Sequence, residues 1–402
     1  MRILMISDVY FPRINGVSTS IQTFRAEFEK LGHEVTLIAP DYPAACCEDP
    51  TIVRIPSRKV VFDPEDRMMK LGKIMELSDS LAGANYDLIH VHTPFVAHYA
   101  GVKLAKRLKL PLLITYHTLF EEYLYHYIPF LPRGLLKKAA RHFSRSQCEQ
   151  ADSIIAPSSV IVELLKRYGV RKSIEVIPTG IHCQRFKAGD GERFRQQYGI
   201  GSERKVLLNV SRVAFEKNIG LLLEVANRLR QNFPEVCLLI AGEGPAKNTY
   251  VQQAKKLGLD DHVVFVGYLD RDSALLDCYH SADYFVFSSK TETQGLVLLE
   301  AMAAGLPVVS IAAMGTRDIL LDCAAAAIVE DDVQDFAETL AQLFSNEDQR
   351  SALLAACHDS AAAWDSTVMA RRMLEHYQLV RSKKRSLVAD SAIFNQTNSR
   401  AG

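Results

Sequence analysis

RILMISDVYFPRINGVSTSIQTFRAEFEKLGHEVTLIA, residues 2–39, carries the reading on which the fold rests. It opens with an aliphatic run at 2–7, turns through a loop containing Pro12 and Gly16, and continues as a helical pattern from about Ser18 to Leu31. Gly32 is placed to end that helix in the left-handed region, and a second aliphatic run follows at 34–39. Strand, helix and strand at this spacing make a βαβ unit. Further short runs recur at 87–91, 112–116, 153–156 and 174–177. They lack in-out alternation, as expected of parallel strands covered on both faces.

From about residue 205 the pattern begins again, at 205–210, 236–241, 263–266, 284–287, 307–310 and 326–329. Two successive β/α series imply two doubly wound domains, whose ligands bind beyond the C-terminal strand ends, with the best pocket expected between the domains. The expected division is residues 1–182 for the first domain and 183–363 for the second. A helix is expected over 364–382, and 383–402 reads as a poorly ordered tail.

The 402 residues suffice for two full cores, and 48% hydrophobic with 23% charged residues describes a globular chain. Its 47 basic and 47 acidic residues cancel, so no global field attracts nucleic acid. No apolar run approaches a bilayer span and the first residues lack a signal-peptide pattern, so a cytoplasmic protein is expected. The eight cysteines show no zinc spacing and read as thiols.

Chemistry concentrates in three segments. Residues 288–307 read as strand, loop and helix, the helix opening near Gln294-Gly295 and closing at Gly305 before Pro307. Amides of Thr293, Gln294, Gly295, Leu296 and Val297 at that opening would favour an anion. Glu292 stands before the helix and Glu300 two turns inside it; the alternatives are a capping carboxylate and a solvated one. Arg212 and Lys217 follow the strand at 205–210, and offer a rigid fork and a flexible point charge for a diphosphate, or else partners for a local carboxylate such as Glu216. Gly16 opens the first helix toward a ligand without forming a dinucleotide fingerprint. His117 falls at the end of a buried strand, where a structural histidine is the plain alternative. Asp270-Arg271-Asp272 spells a metal-binding pattern but reads as a surface turn, with Asp272 capping the next helix.

Residues 288–307, with two glutamates separated by seven residues, closely resemble the signature of family 4 retaining glycosyltransferases. That resemblance implies a nucleotide-sugar donor and a GT-B fold of two facing Rossmann-like domains, with the helix over 364–382 returning to the first. It implies that Glu292 borders the transferred sugar, Glu300 binds the ribose, and the amides of Thr293 to Leu296 lie along the sugar and diphosphate. Arg212 and Lys217 match the family's phosphate clamp, and His117 the histidine beside the sugar. Gly16 matches its N-terminal glycine loop, while Gly242, Gly244 and Tyr268 match segments near the base. No cofactor and no metal ion is then needed.

The chain looks most like the bacterial diacylglycerol glucosyltransferases, through residues 116–145 and Thr293-Gln294-Gly295. This implies UDP-glucose and a lipid acceptor. The apolar loop bearing Tyr127 and Phe130, followed by Lys137, Lys138, Arg141 and Arg145, could lie on an anionic membrane surface; a core-packed helix with a solvated basic face is the rival. A GDP-mannose-dependent mannosyltransferase, a nucleotide-sugar epimerase and a non-catalytic scaffold are the competing functions. Oligomeric state is left open.

Overall fold

The computed structural model describes residues 1–43, 49–60, 63–117 and 133–398, with backbone alone at 63–66, 133, 135 and 387–398. The chain divides into two compact units, Met1–Gly180 with the segment from Ser366, and Ile181–Asp365.

The first unit holds a seven-stranded sheet. Its strands are β1 (Arg2–Ile6), β2 (Glu34–Pro40), β3 (Ile52–Ile55), β6 (Leu88–Val91), β7 (Leu112–Thr115), β8 (Ser153–Ala156) and β9 (Ile174–Val176), with β4 (Ser57–Val60) and β5 (Asp63–Met69) forming a separate antiparallel pair. The sheet order is β3-β2-β1-β6-β7-β8-β9, parallel throughout. Ile3, Leu4, Met5 and Ile6 of β1 are fully buried, which is why no alternation was visible in their sequence. Asn15 caps the helix Gly16–Lys30 by accepting from the Ser18 amide at 2.8 Å. Gly32, at φ +78°, ends it as expected.

The helix Ser366–Asn398 returns to this unit. Met369, Met373, Leu374 and Tyr377 pack against Ile3, Met5, Phe24 and Phe28 in one core. Beyond the core, Arg381 pairs with Asp87 at 2.8 Å and Lys384 with Asp152 at 2.7 Å. The helix thus continues through most of the stretch read as an unordered tail. No proline or glycine interrupts 383–398, and its Ser, Lys, Arg, Ala and Leu residues tolerate a helix that is already nucleated by the packed turns before it.

The second unit has six parallel strands, β10 (Lys205–Val210), β11 (Val236–Ala241), β12 (Val263–Gly267), β13 (Tyr284–Phe287), β14 (Val308–Ile311) and β15 (Ala326–Val329). Their order, β12-β11-β10-β13-β14-β15, reverses direction between β10 and β13. In the first sheet the same reversal lies between β1 and β6. Open α/β sheets bind ligands beyond the strand ends at such a reversal, so each unit has a defined place for chemistry.

Candidate active site

In the second unit the two strands at the reversal deliver the two charged motifs to each other. β10 ends at Val210, and the loop after it carries Arg212 and Lys217; β13 ends at Phe287, and the loop after it carries Glu292. The Lys217 ammonium forms an ion pair with Oε1 of Glu292, across 75 residues of sequence, and both side chains are about four-fifths buried. The Ser288 hydroxyl donates to the Lys217 and Asn218 carbonyls at 3.1 and 3.0 Å, tying the end of β13 to the lysine loop. Glu292 is therefore a partner of the lysine rather than a helix cap. Arg212, half exposed, donates to Glu216 at 2.7 Å. Burial works upward on the Glu216 carboxyl, but the hydrogen bond and charge of Arg212 hold it below the ordinary range. The local pairing weighed from sequence thus holds for Arg212 and fails for Lys217.

The helix expected at 294–295 opens at Leu296, running Leu296–Ala303. Gly295 before it sits at φ +98°, where a side chain would be strained and would press on Thr316. Gln294 and Gly295 are buried, and Thr293 is half-buried. The Glu292 carbonyl accepts from the Gly315 amide at 2.8 Å, which fixes the loop from behind. Glu300 is not solvated: it is buried, its Oε1 accepting from Arg271 and its Oε2 from the Tyr279 hydroxyl, each at 2.8 Å.

Gly242 and Gly244 support the cation loop. Gly242 has φ +141°, and a Cβ there would collide with the Ser211 carbonyl oxygen. One at Gly244 would strike the Val213 carbonyl. The Val213 amide donates to the Glu243 carbonyl at 2.9 Å, so the two loops are stacked backbone on backbone with Arg212 between the contacts. Tyr268, at the exit of β12, leaves 70% of its surface exposed.

Asp272 does not cap the following helix. It takes the Arg185 guanidinium at 2.8 Å, while Asp270 accepts from the Asp272 amide and the Ser273 hydroxyl at 3.1 and 2.7 Å and makes the turn. Asp270 is farther along the chain from the helix Ala274–His280 than Asp272, yet its carboxylate is the one that reaches forward to close the turn.

The reversal in the first unit gathers one buried carboxyl and imidazoles, with no cation among the described residues beside them. Asp8 follows β1, His92 and Thr93 follow β6, and His117 follows β7. The buried Asp8 carboxyl accepts from the Thr93 hydroxyl at 2.8 Å and the Ala97 amide at 3.1 Å, and so caps the helix Val96–Leu108 from another strand. Burial raises its pKa to about 6 despite those bonds. His117 Nε2 lies 3.4 Å from His92 Nδ1, and the rings stack with centroids 5.7 Å apart. Burial pushes His117 down to about 4 and His92 well below the ordinary imidazole value. These histidines stay neutral near pH 7. A cavity of about 20 Å³, room for one water, is lined by His92, Thr93, Tyr116, His117, Ser144 and Gln147. Gly16 begins the first helix, in the loop that leaves β1 at the same edge of the sheet.

Tyr127 and Phe130 lie outside the described residues. The basic helix Arg133–Cys148 buries Leu136, Ala140, Ser144, Gln147 and Cys148, and exposes Lys137, Lys138, Arg141, His142 and Arg145. Ala140 and Cys148 join the unit's core. Leu136, Ala140 and Cys148 thus turn one side of the helix to the protein, and its basic residues face solvent. Among the described residues no helix is long and apolar enough to cross a membrane.

Asp8, His92, Arg271 and Tyr279 were not singled out from sequence as site residues. Position alone could have flagged Asp8 and His92, which stand at the ends of the two strands flanking the reversal. Arg271 carries no sequence signal of its own, since the metal-like spelling lies in the aspartates on either side.

Comparison with known proteins places the family and the fold. Residues 14–185 match the model for Glycosyltransferase Family 4, and residues 190–356 match that for Glycosyl transferases group 1. An alpha-monoglucosyldiacylglycerol synthase of Streptococcus pneumoniae is 35% identical over 77% of this chain and 71% of its own length. A GDP-mannose-dependent alpha-mannosyltransferase of Mycobacterium tuberculosis is 28% identical over 97% of this chain and 99% of its own. Among solved structures, Anabaena HepE in complex with UDP superposes with a TM-score of 0.76 at 18% identity, covering 94% of this chain and all of that one. The chain belongs to glycosyltransferase family 4 and has the GT-B fold.

Proposed function

We propose that this glycosyltransferase moves glucose from UDP-glucose onto a hydroxyl of a membrane glycerolipid, with retention of the anomeric configuration and without a metal ion. The observation that carries the proposal is the Lys217–Glu292 pair at the strand reversal, which brings together the cation and the carboxylate to which this reading assigns the phosphate and the sugar. When a sugar leaves a nucleoside diphosphate, negative charge grows on the diphosphate. Cations already in place bind that state more strongly than the ground state. Lys217 and Arg212 exchange their carboxylate partners for phosphate oxygens, and Glu292 is freed to accept from the sugar's hydroxyls. In a same-face displacement the bond from the anomeric carbon to phosphate oxygen breaks and the bond to the acceptor oxygen forms. The acceptor's proton passes to the departing phosphate oxygen.

The lipid acceptor is favoured by the similarity to the diacylglycerol-directed relative and by the basic face of the helix Arg133–Cys148. With Leu136 and Ala140 turned into the protein, that helix would approach anionic headgroups by charge, each Lys or Arg contributing on the order of 1 kcal/mol. The protein would then work at the inner face of the cell membrane. A GDP-mannose donor is the second reading, supported by near full-length similarity to the mycobacterial mannosyltransferase.

Purified protein given UDP-glucose or GDP-mannose, diacylglycerol vesicles and a chelator should yield a glucosylated lipid, identified by mass spectrometry, from UDP-glucose alone. A mannosylated product would select the second reading. Nucleoside diphosphate released equally without lipid would remove acceptor transfer. Flotation with anionic and neutral vesicles should show binding to the anionic ones only, and equal binding would remove the headgroup role.

A further inference from the structure

Asp270-Arg271-Asp272 is left without a role once the metal reading is set aside, and its middle residue reaches the buried end of the donor half. Arg271 donates Nη2 to Oε1 of Glu300, and the Tyr279 hydroxyl donates to Oε2, both at 2.8 Å. The three groups come from three places: the turn after β12, the helix Ala274–His280, and the helix Leu296–Ala303. We propose that Arg271 and Tyr279 are positioning residues that aim the Glu300 carboxylate at the vicinal hydroxyls of the donor's ribose, and so set the enzyme's preference for ribose over deoxyribose donors. This rests on the reading of Glu300 as the ribose-binding residue.

A carboxylate has about four acceptor directions, and rotation about its last bond would blur them. Here one donor on each oxygen removes that freedom and leaves each oxygen a further direction for a second donor. Two adjacent hydroxyls are the ligand chemistry that such a fixed pair of acceptors fits. Tyr279 is itself held: it is fully buried, edge-on to Phe186 and against Phe285. The two aspartates aim the arginine. Asp270 closes the turn through Ser273, and Asp272 binds Arg185, whose guanidinium also donates to the Arg271 carbonyl. Arg271 keeps 30% of its side chain exposed while the carboxylate it holds is buried, so it also supplies the countercharge Glu300 needs at that depth.

The test measures binding of UDP and GDP, each beside its 2′-deoxy and 3′-deoxy forms, by titration calorimetry on the full chain. Wild type should prefer the ribose forms of whichever nucleotide it binds by about tenfold or more, since a site built for a hydroxyl rejects the analogue lacking it. Glu300→Gln should lose most of that preference. Tyr279→Phe and Arg271→Gln should each cut it severalfold and raise the donor KM more than they lower kcat, with Arg271→Lys recovering part. Full preference in both positioning variants, with loss in Glu300→Gln, would overturn the inference and leave the ribose reading standing. Absence of any preference in wild type would overturn both. Should Tyr279→Phe fail to fold, the partly exposed Arg271 decides through its Gln and Lys variants.

Discussion

The two strand reversals of this molecule have the same topology and opposite electrostatics. In the second unit the loops after β10 and β13 meet through the Lys217–Glu292 ion pair, with Arg212 paired to Glu216 inside the first loop and, deeper, Arg271 after β12 paired to Glu300. In the first unit the loops after β1, β6 and β7 bring together Asp8, Thr93, His92 and His117, a carboxyl raised toward neutrality and imidazoles held neutral. One edge is prewired with exchangeable charge and suits a diphosphate. The other offers neutral imidazoles and a single carboxyl that is already engaged by Thr93 and Ala97, and suits a sugar ring or a hydroxyl acceptor. In a family whose reaction separates charge on the donor and moves a neutral group, the same scaffold is specialised by the loops at its strand ends.

That contrast in charge predicts unequal damage. Lys217→Ala removes the cation at the charge-developing end and leaves Glu292 without its partner, so kcat/KM should fall by about 10²–10³. Initial rates over a range of donor concentrations check this; a variant within threefold of wild type would contradict the assignment of the second unit. His117→Asn should cost less, roughly tenfold, as expected of a neutral hydrogen bond. Because burial holds His117 near 4, its proton is already absent at pH 5.5 and above. The pH profiles of kcat/KM for wild type and His117→Asn should therefore have the same shape between pH 5.5 and 8. A wild-type acid limb near 6.5 that vanished in the variant would show that His117 titrates where the first unit's electrostatics forbid it.

Both series of strands in the large sheets were legible because doubly covered strands leave unbroken aliphatic runs; β1, β10 and β11 are plain in the sequence. The pair β4 and β5 was not, since Ser57-Arg58-Lys59 and Asp63-Pro64-Glu65-Asp66 carry no apolar signature, and β3 is a short edge strand of mostly half-buried residues. At the site, motif spacing brought Lys217 and Glu292 into one reading but could not say that they touch, a contact decided by the adjacency of β10 and β13 in the sheet. Partner choice was equally hidden. Whether Arg212 faces a ligand or Glu216, and whether Asp270 or Asp272 makes the turn, depends on loop geometry that residue type does not encode. The basic helix was read correctly as amphipathic, yet its apolar side is used by the first core, a fact available only once Leu136 and Ala140 are seen to be buried.

The smallest effect concerns stability, and it separates the units by acid sensitivity. His90 is fully buried, with Nδ1 2.5 Å from the Tyr377 hydroxyl and Nε2 2.7 Å from the Thr115 hydroxyl, and burial lowers its pKa to about 3. The unfolded chain takes up that proton near 6.5. Between these values the unfolded state holds more protons, so stability rises with pH and is lost on acidification below about 6.5. At pH 5 the loss from this one group is on the order of 2 kcal/mol. His92, His98, His117 and His376 in the same unit are also depressed and act in the same direction. Asp8 acts oppositely: raised to about 6, it holds its proton longer when folded, so its contribution falls as pH rises from about 4 toward 6. The histidines outnumber it, and acidification from pH 7 to 5 should lower the unfolding midpoint. His90→Gln should be less stable at pH 7, having lost its fit between Tyr377 and Thr115, but its midpoint should fall less between pH 7 and 5 than that of wild type. Thermal unfolding across that range reads the two slopes, and equal slopes would mean that the His90 ring reaches water in the folded protein and takes up its proton there as it does in the unfolded chain.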